Sequence, residues 1–171
     1  MASFERFDEA GANFRWTTIQ LGDAMQRISP STPADTPDLP TRGAVRRPKT
    51  IAILDDEIAM LELLGNSIAG EGFEVLVCTD KRIFLEELPG LTVDLVITDL
   101  NSPGMNGMQF LAEMCRNEKW RNIPVIIASG MGGAEGAHAK SRGAYEAFAK
   151  PFRIEDLLAV VKRALAERQV K

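Results

Sequence analysis

The sequence predicts an α/β fold in which a parallel sheet is covered by helices on both faces. Two observations carry this prediction. Beyond Thr50, short apolar runs alternate five times with stretches of helical spacing, which is the pattern of repeated βα units. Four of the five runs are apolar throughout, as expected for strands that are buried on both faces. With 171 residues, the chain can form one such domain and an appendage.

The predicted elements are bounded by glycine, proline and acidic residues. The strands are expected at residues 51–54, 75–78, 95–98, 125–128 and 147–149. The helices are expected at residues 59–69, 80–88, 107–116, from the fourth strand to 142, and 154–168. Asp80 is expected to cap the second helix, and Pro89-Gly90 to end it. The fourth helix is expected to be weak because it is rich in glycine and alanine.

Composition and charge narrow the class of protein. Hydrophobic residues make up 45% of the chain, which is enough for a core, and the formal net charge is −4. Dedicated nucleic-acid-binding proteins are usually basic. No apolar run approaches the roughly 18 residues of a membrane span, and the N-terminus lacks the basic-then-apolar form of a signal peptide. We therefore expect a soluble cytoplasmic protein that binds neither nucleic acid nor membrane.

A change of composition separates the first 49 residues from the rest. Residues 29–49 contain five of the nine prolines and few large apolar side chains, which predicts an extended linker. Residues 1–28 hold four of the eleven aromatic residues. Within them, residues 17–28 are predicted to form a short helix with Leu21, Met25 and Ile28 on one stripe. The expected domains are an arm at 1–28, the linker at 29–49 and the α/β domain at 50–171.

Three locations for this arm remain open. It could pack on its own α/β domain, dimerise with a second copy, or dock on another protein.

Polar side chains follow four of the predicted strands. They are Asp55 and Asp56 after the first strand, Asp99 after the third, Ser129 after the fourth and Lys150 after the fifth. In open parallel sheets the chemistry lies beyond the carboxyl ends of the strands, so these side chains are expected to share one cleft. Neighbouring carboxylates repel unless a cation neutralises them. Oxygen ligands of this kind suit Mg²⁺ (or Mn²⁺).

This set of groups fits phosphoryl transfer onto a carboxylate. A carboxylate can attack phosphorus and form an acyl phosphate. The transfer depends on positioning and on charge neutralisation, which a metal, a lysine and a hydroxyl can supply at three different oxygens. A hydrolase of phosphate esters fits less well, because it would need a second acid near Asp99, where Asn101 stands instead.

Residues 51–168 resemble the receiver domain of response regulators in two-component signalling. The resemblance rests on several motifs taken together, namely Ile51-Ala52-Ile53-Leu54-Asp55-Asp56-Glu57, Val96-Ile97-Thr98-Asp99, Pro103-Gly104-Met105-Asn106-Gly107, Ile126-Ile127-Ala128-Ser129-Gly130, Gly143-Ala144 and Lys150-Pro151-Phe152. It implies a flavodoxin-like (βα)5 fold with strand order 2-1-3-4-5.

The resemblance also assigns roles to the residues at the strand ends. Asp99 corresponds to the phosphoacceptor and Asp56 to a direct metal ligand. Asp55 corresponds to the acid that holds a metal-bound water. Asn101 would offer its backbone carbonyl to the metal.

The two remaining strand-end positions correspond to groups that contact the phosphoryl oxygens. Ser129 matches the hydroxyl residue that follows the phosphate on activation. Lys150 matches the lysine that pairs with the phosphoryl oxygens, and the bond to Pro151 is expected to be cis.

The implied function is that of a phosphorylation-dependent response regulator. The donor would be a sensor histidine kinase or a histidine phosphotransfer protein. The chain would not be an enzyme beyond assisting its own phosphoryl transfer and dephosphorylation. Because about twenty residues follow Lys150, we expect no DNA-binding output domain and signalling through a downstream protein target. A homodimer could form through the arm or a receiver face. The alternative is a degenerate receiver that acts as a scaffold or dimerisation module without phosphorylation.

Two positions depart from the family pattern. Ala147 stands where the family has an aromatic switch residue, and Phe148 should point to the opposite face of the sheet. Ser102 replaces a methionine and is expected to loosen its loop. We therefore expect signalling to proceed through the loop after Ser129, where Gly130 and the following glycines lower local stability.

Overall fold

One eight-stranded sheet organises the chain. A computed structural model describes residues 2–7, 13–22, 24–30, 47–130 and 133–168. The strands are β1 (Ala2–Phe7), β2 (Asn13–Gly22), β3 (Met25–Pro30), β4 (Thr50–Leu54), β5 (Glu74–Cys78), β6 (Leu95–Asp99), β7 (Val125–Ser129) and β8 (Glu146–Ala149). Their order across the sheet is β1-β2-β3-β5-β4-β6-β7-β8.

The five strands from Thr50 onward are parallel, as predicted. Their order is β5-β4-β6-β7-β8, and each adjacent pair is parallel. Counted from Thr50, this is the predicted order 2-1-3-4-5. The flavodoxin-like fold is therefore confirmed, and the carboxyl ends of these strands lie along one edge of the sheet.

In the described residues, five α-helices connect the strands and cover the sheet. They are α1 (Ile58–Gly70), α2 (Lys81–Glu87), α3 (Gly107–Arg116), α4 (Gly133–Ser141) and α5 (Ile154–Arg168). Asp80 caps α2 as predicted, because its carboxylate accepts a hydrogen bond from the Arg82 N–H. A 3₁₀ turn at Leu88–Gly90 follows α2. Asn106 and Gln109 form a capping box at the start of α3, which fixes that helix beside the end of β6.

Alternation along the strands divides the core into two clusters on opposite faces of the sheet. Ala52 and Leu54 belong to the cluster that contains Phe84 and Phe110, whereas Ile51 and Ile53 belong to the other. The residues of β4, β6 and β7 are all buried, as are those of β5 after Glu74, whereas β8 is only partly buried. Burial on both faces explains why the first four of the parallel strands are largely apolar.

The prediction of a helix at residues 17–28 is wrong. Most of this segment forms β2 and β3, which pair antiparallel with each other, and β3 pairs antiparallel with β5. Met25 packs in one core cluster and Ile28 against the other. Their separation by three residues places them on one helix stripe but on opposite faces of a strand. A short isolated helix is marginal in water, whereas a strand can form hydrogen bonds with the open edge of β5. The segment therefore forms a strand.

The strand β3 also changes the predicted location of the arm and the predicted start of the linker. Residues 25–28 pair with the chain's own β5, so at least this part of the arm packs on its own α/β domain. Ser29 and Pro30 belong to β3 rather than to the predicted linker. Residues 31–46 of that linker lie outside the described residues. Among the described helices, none combines the length and apolarity that crossing a membrane requires.

Gly107 allows α3 to start directly against the end of β6. Its N–H donates to the Leu100 carbonyl at 2.7 Å. A Cβ at this position would lie 2.7 Å from the Asp99 carbonyl oxygen and 2.9 Å from the Leu100 Cα. Both are backbone atoms, so the contact can be relieved only by moving α3 or the loop after β6.

We expect Gly107→Ala to lower the free energy of unfolding by about 1–3 kcal/mol, because overpacking forces the backbone to shift. Gly70→Ala is the matched control, since a Cβ at this helical position meets nothing within 4 Å. It should leave stability unchanged or raise it by less than about 1 kcal/mol. Urea unfolding measures both variants, and equal effects would contradict this account of Gly107.

Asp94 forms hydrogen bonds and ion pairs at the edge of the sheet opposite the carboxyl ends of the strands. Its carboxylate accepts hydrogen bonds from the Thr50 N–H at 3.0 Å and from Lys49 Nζ at 2.9 Å. Arg47 Nη1 lies 2.9 Å from the same carboxylate, and Arg168 donates to the Asp94 backbone carbonyl at 2.6 Å. Burial raises the pKa of Asp94, but these donors outweigh burial, and the pKa ends below its ordinary value.

A carboxyl whose pKa is lower in the folded state stabilises the fold above its unfolded pKa, and this contribution is lost as the pH falls. We therefore expect Asp94→Asn to cost about 2 kcal/mol at pH 7, and the difference from wild type to narrow as the pH falls below about 4, from the unfolded pKa towards the lower folded pKa. Denaturant unfolding at several pH values measures this. Glu118→Gln, at an exposed position, is the control. A difference that does not change with pH would contradict the role given to the carboxylate.

Candidate functional site

Three of the predicted site residues meet at the carboxyl edge of the sheet. Lys150 Nζ lies 2.8 Å from Asp55 Oδ2 and 3.2 Å from Asp99 Oδ1. Asp55 follows β4, Asp99 ends β6 and Lys150 follows β8. Both acids are buried, and the lysine is largely so. The ammonium therefore bridges two carboxylates that would otherwise face each other with little solvent.

Local backbone turns orient both carboxylates. The second oxygen of Asp55, Oδ1, accepts a hydrogen bond from the Glu57 N–H at 2.9 Å. The second oxygen of Asp99, Oδ2, accepts one from the Asn101 N–H at 2.7 Å. In each case an aspartate caps the turn two residues ahead. One oxygen of each acid is thus held by the backbone, and the other faces Lys150.

Lys150 is held in its charged form by these acids. Burial lowers its pKa, but the hydrogen bonds and charges of Asp55 and Asp99 outweigh burial and leave the pKa above its ordinary value. The Lys150–Pro151 peptide bond is cis, as the resemblance implies. The Lys150 N–H donates to the Ser129 carbonyl at 2.6 Å, which joins the ends of β7 and β8.

Ser129 is also brought to this edge, where it is 4% exposed. Its hydroxyl lies 3.5 Å from Glu135 Oε2 in the first turn of α4. The hydroxyl predicted to follow the phosphate is therefore close to an acidic side chain of the next helix.

Asp56 and Asn101 occupy the exposed side of the site. Asp56 follows the buried Asp55. Burial leaves the pKa of Lys81 below its ordinary value, and the charge of Asp56 acts against that shift, so the Asp56 carboxylate lies near the same group of charges. Asn101 contributes its N–H to Asp99, as described above. Met131, the residue two beyond Ser129, lies outside the described residues.

Sequence reasoning missed a second lysine at this edge. Lys81 begins α2 and is only 3% exposed. Its Nζ lies 2.5 Å from the hydroxyl of Ser102, and Arg82 beside it donates to the Gly104 carbonyl at 2.6 Å. Ser102, expected to loosen its loop, is instead tied to α2. The strand-end argument could have found Lys81, because β5 also ends at this edge.

The site offers oxygen donors of the kind that a magnesium ion binds. In the part of the chain that the structure describes, no three His, Cys, Asp or Glu side chains are arranged to hold a metal. Two buried carboxylates, Asp55 and Asp99, do face each other across Lys150. Mg²⁺ usually takes one or two carboxylates and keeps several waters, and a backbone carbonyl is also a suitable ligand. The oxygen donors present therefore fit this ion.

A cavity lies where the resemblance implies an aromatic switch. It has a volume of about 310 Å³ and is lined by Ser129, Glu135, Lys140 and Ala147, among others. Ala147 packs against one core cluster, whereas Phe148 packs against the other, as alternation predicted. No aromatic ring from position 147 can therefore fill the space between β8 and α4.

Comparison with known proteins gives a consistent match. The chain matches the response regulator receiver domain family over residues 51–162. The transcriptional regulatory protein FixJ of Bradyrhizobium diazoefficiens is 31% identical over 120 residues, which are 70% of this chain and 58% of FixJ. The response regulator protein TodT of Pseudomonas putida is 33% identical over 120 residues, 70% of this chain and 52% of TodT. The chain thus spans about half the length of these curated relatives.

Solved structures agree with this match. A response regulator receiver domain protein from Clostridium thermocellum has a TM-score of 0.63 at 29% identity, covering 71% of this chain and 98% of that protein. The receiver domain of NtrX from Brucella abortus has a TM-score of 0.63 at 30% identity, covering 68% of this chain and 98% of that domain.

Proposed function

The chain belongs to the response regulator receiver domain family, and on this premise we propose that it accepts a phosphoryl group on Asp99 from a sensor histidine kinase or a histidine phosphotransfer protein. One observation carries the proposal. The ammonium of Lys150 contacts an oxygen of Asp99 while Asp55 holds it from the other side. A buried carboxylate with a cation in contact is suited to take up further negative charge.

In the proposed transfer, an oxygen of Asp99 forms a bond to phosphorus as the bond from phosphorus to the donor's histidine nitrogen breaks. The electron pair of that bond stays on the nitrogen. Lys150 then shares its ammonium between Asp55 and a phosphoryl oxygen, and Ser129 donates its hydroxyl to another. These steps need positioning and charge neutralisation more than acid–base chemistry.

Mg²⁺ (or Mn²⁺) is the metal that the proposal assigns to this site. Asp56, Asp99 and the Asn101 backbone carbonyl would hold it, and Asp55 would hold a metal-bound water. When bound, the ion supplies charge neutralisation at a phosphoryl oxygen. Receiver domains are signalling modules rather than classical enzymes, and we assign this chain only assistance to its own phosphorylation and dephosphorylation.

Incubation with acetyl phosphate and Mg²⁺, followed by intact-mass measurement, tests the phosphoacceptor. We expect the wild type to gain one phosphoryl group, because the small donor needs only the site described here. Asp99→Asn should gain none, and chelation of the metal should abolish the gain in the wild type. Asp156→Asn, which changes an exposed acid in α5, should gain one group as the wild type does.

Two other results would reject the proposal. If the wild type gains no phosphoryl group, the chain is better described as a scaffold or dimerisation module that acts without phosphorylation. If phosphate is released catalytically and no adduct forms, the site is that of a hydrolase.

We further propose that output proceeds through the start of α4 rather than through an aromatic ring at position 147. Ser129 contacts Glu135 in the first turn of α4, and the cavity beside Ala147 leaves this helix incompletely packed. The target would be a downstream protein that binds this surface. A homodimer, through residues 1–28 or through a receiver face, is a second way in which the same change could be transmitted.

Amide hydrogen exchange of the phosphorylated and free protein tests this route. We expect the largest changes in protection at residues 130–141, because movement of Ser129 towards the phosphoryl group would break its contact with Glu135. Residues 107–116 of α3 serve as the internal reference and should change little. Large changes confined to residues 147–150 would contradict the proposed route.

A further inference from the structure

Lys81 is a buried cation that the proposed chemistry leaves without a role. It is 3% exposed, which is rare for a lysine unless it is paired. Its hydrogen-bond partner among the described residues is the neutral hydroxyl of Ser102. An ammonium has three donors and is costly to bury, so one neutral acceptor does not account for its position.

Nearby negative charge offsets part of this cost. Burial outweighs the charges of Asp99, Asp55, Asp56 and Asp80, so the pKa of Lys81 ends below its ordinary value, but each of these charges acts against burial, in that order of size. The first three are the carboxylates of the site. Lys81 approaches them from the end of β5, whereas Lys150 approaches from the end of β8.

The position of Lys81 is fixed by its neighbours. Asp80 caps α2 through the Arg82 N–H at 2.7 Å, and the Arg82 guanidinium donates to the Gly104 carbonyl. The hydrogen bonds of Lys81 to Ser102 and of Arg82 to Gly104 therefore attach the first turn of α2 to the loop after Asp99. Because the Lys81 side chain is buried between this turn and the loop, its charge is held near the acids and does not turn into solvent.

We propose that Lys81 is an intrinsic counter-cation of the acidic site, and that it lowers the affinity of Asp55, Asp56 and Asp99 for a divalent metal ion. The inference rests on the proposed function, because it assumes that these acids bind Mg²⁺. Three carboxylates face two ammonium groups, so the site is largely neutralised before any metal arrives. A divalent ion must then bind against the repulsion of a fixed positive charge.

Calorimetric titration with MgCl₂, without any phosphodonor, tests this inference. Lys81→Met and Lys81→Gln should each bind Mg²⁺ about tenfold more tightly than the wild type, because each removes one positive charge near the ion. Lys81→Gln keeps a donor for Ser102, so it separates the charge from the hydrogen bond. Lys119→Met, at an exposed lysine before β7, removes the same charge at the other end of the sheet and should bind as the wild type does.

Each remaining outcome is decisive. If wild type and both Lys81 variants bind Mg²⁺ equally, the inference is rejected and the proposed function stands. If only Lys81→Met binds Mg²⁺ more tightly, the loss of the hydrogen bond to Ser102 is responsible and the loss of charge is not, so the inference is rejected. If no variant binds Mg²⁺, both the inference and the proposed metal site are rejected. Circular dichroism establishes that each variant is folded, and Lys81→Gln carries the test should Lys81→Met fail to fold.

Discussion

The ion pair of Lys150 with two buried carboxylates is the interaction on which the site depends. Asp55 and Asp99 lie at the ends of the neighbouring strands β4 and β6, so the sheet itself brings their charges together. Two neighbouring carboxylates repel each other unless a cation lies between them. Lys150 comes from β8, two strands away from β6, and a long side chain is needed to cross the end of β7. The strand order therefore explains why the cation at this position is carried by a side chain as long as lysine.

The two edges of the sheet use charge in opposite ways. At the carboxyl edge, two lysines lie among three acids, so negative charge remains in excess. At the other edge, Asp94 is surrounded by Arg47, Lys49 and Arg168. The first arrangement retains unsatisfied charge, and the second satisfies it fully. Stability and chemistry are thus assigned to opposite ends of the same strands, as strand-end sites in parallel sheets allow.

The parallel sheet and most of the site could be predicted because both follow from short-range patterns. Buried strands are apolar throughout, and the residues that follow them must lie at one edge. The first 30 residues could not be predicted in this way, because the edge of β5 selects a strand where Met25 and Ile28 also suit a helix. Gly65 was the available signal, because a glycine in the middle of a helix often marks close packing. A Cβ at this position of α1 would lie 3.1 Å from the Ile28 side chain. Lys81 was missed because a lysine at a helix start is ordinarily solvated.

The contact between α4 and β8 follows from the absence of a large side chain at position 147. A Cβ at Gly136 would lie 3.3 Å from the Ala147 Cβ, so the helix approaches the strand through small residues while a cavity remains beside them. An ion pair also joins the two elements, since Lys140 Nζ lies 2.6 Å from Glu146 Oε1 and lowers the pKa of that carboxyl. Contacts of this kind depend on distance and on nearby charge more than on a ring filling a space. In the proposed route, a helix held this way responds to a new phosphoryl charge at the end of β6 through Ser129 and Glu135, without a side chain changing its rotamer in the core.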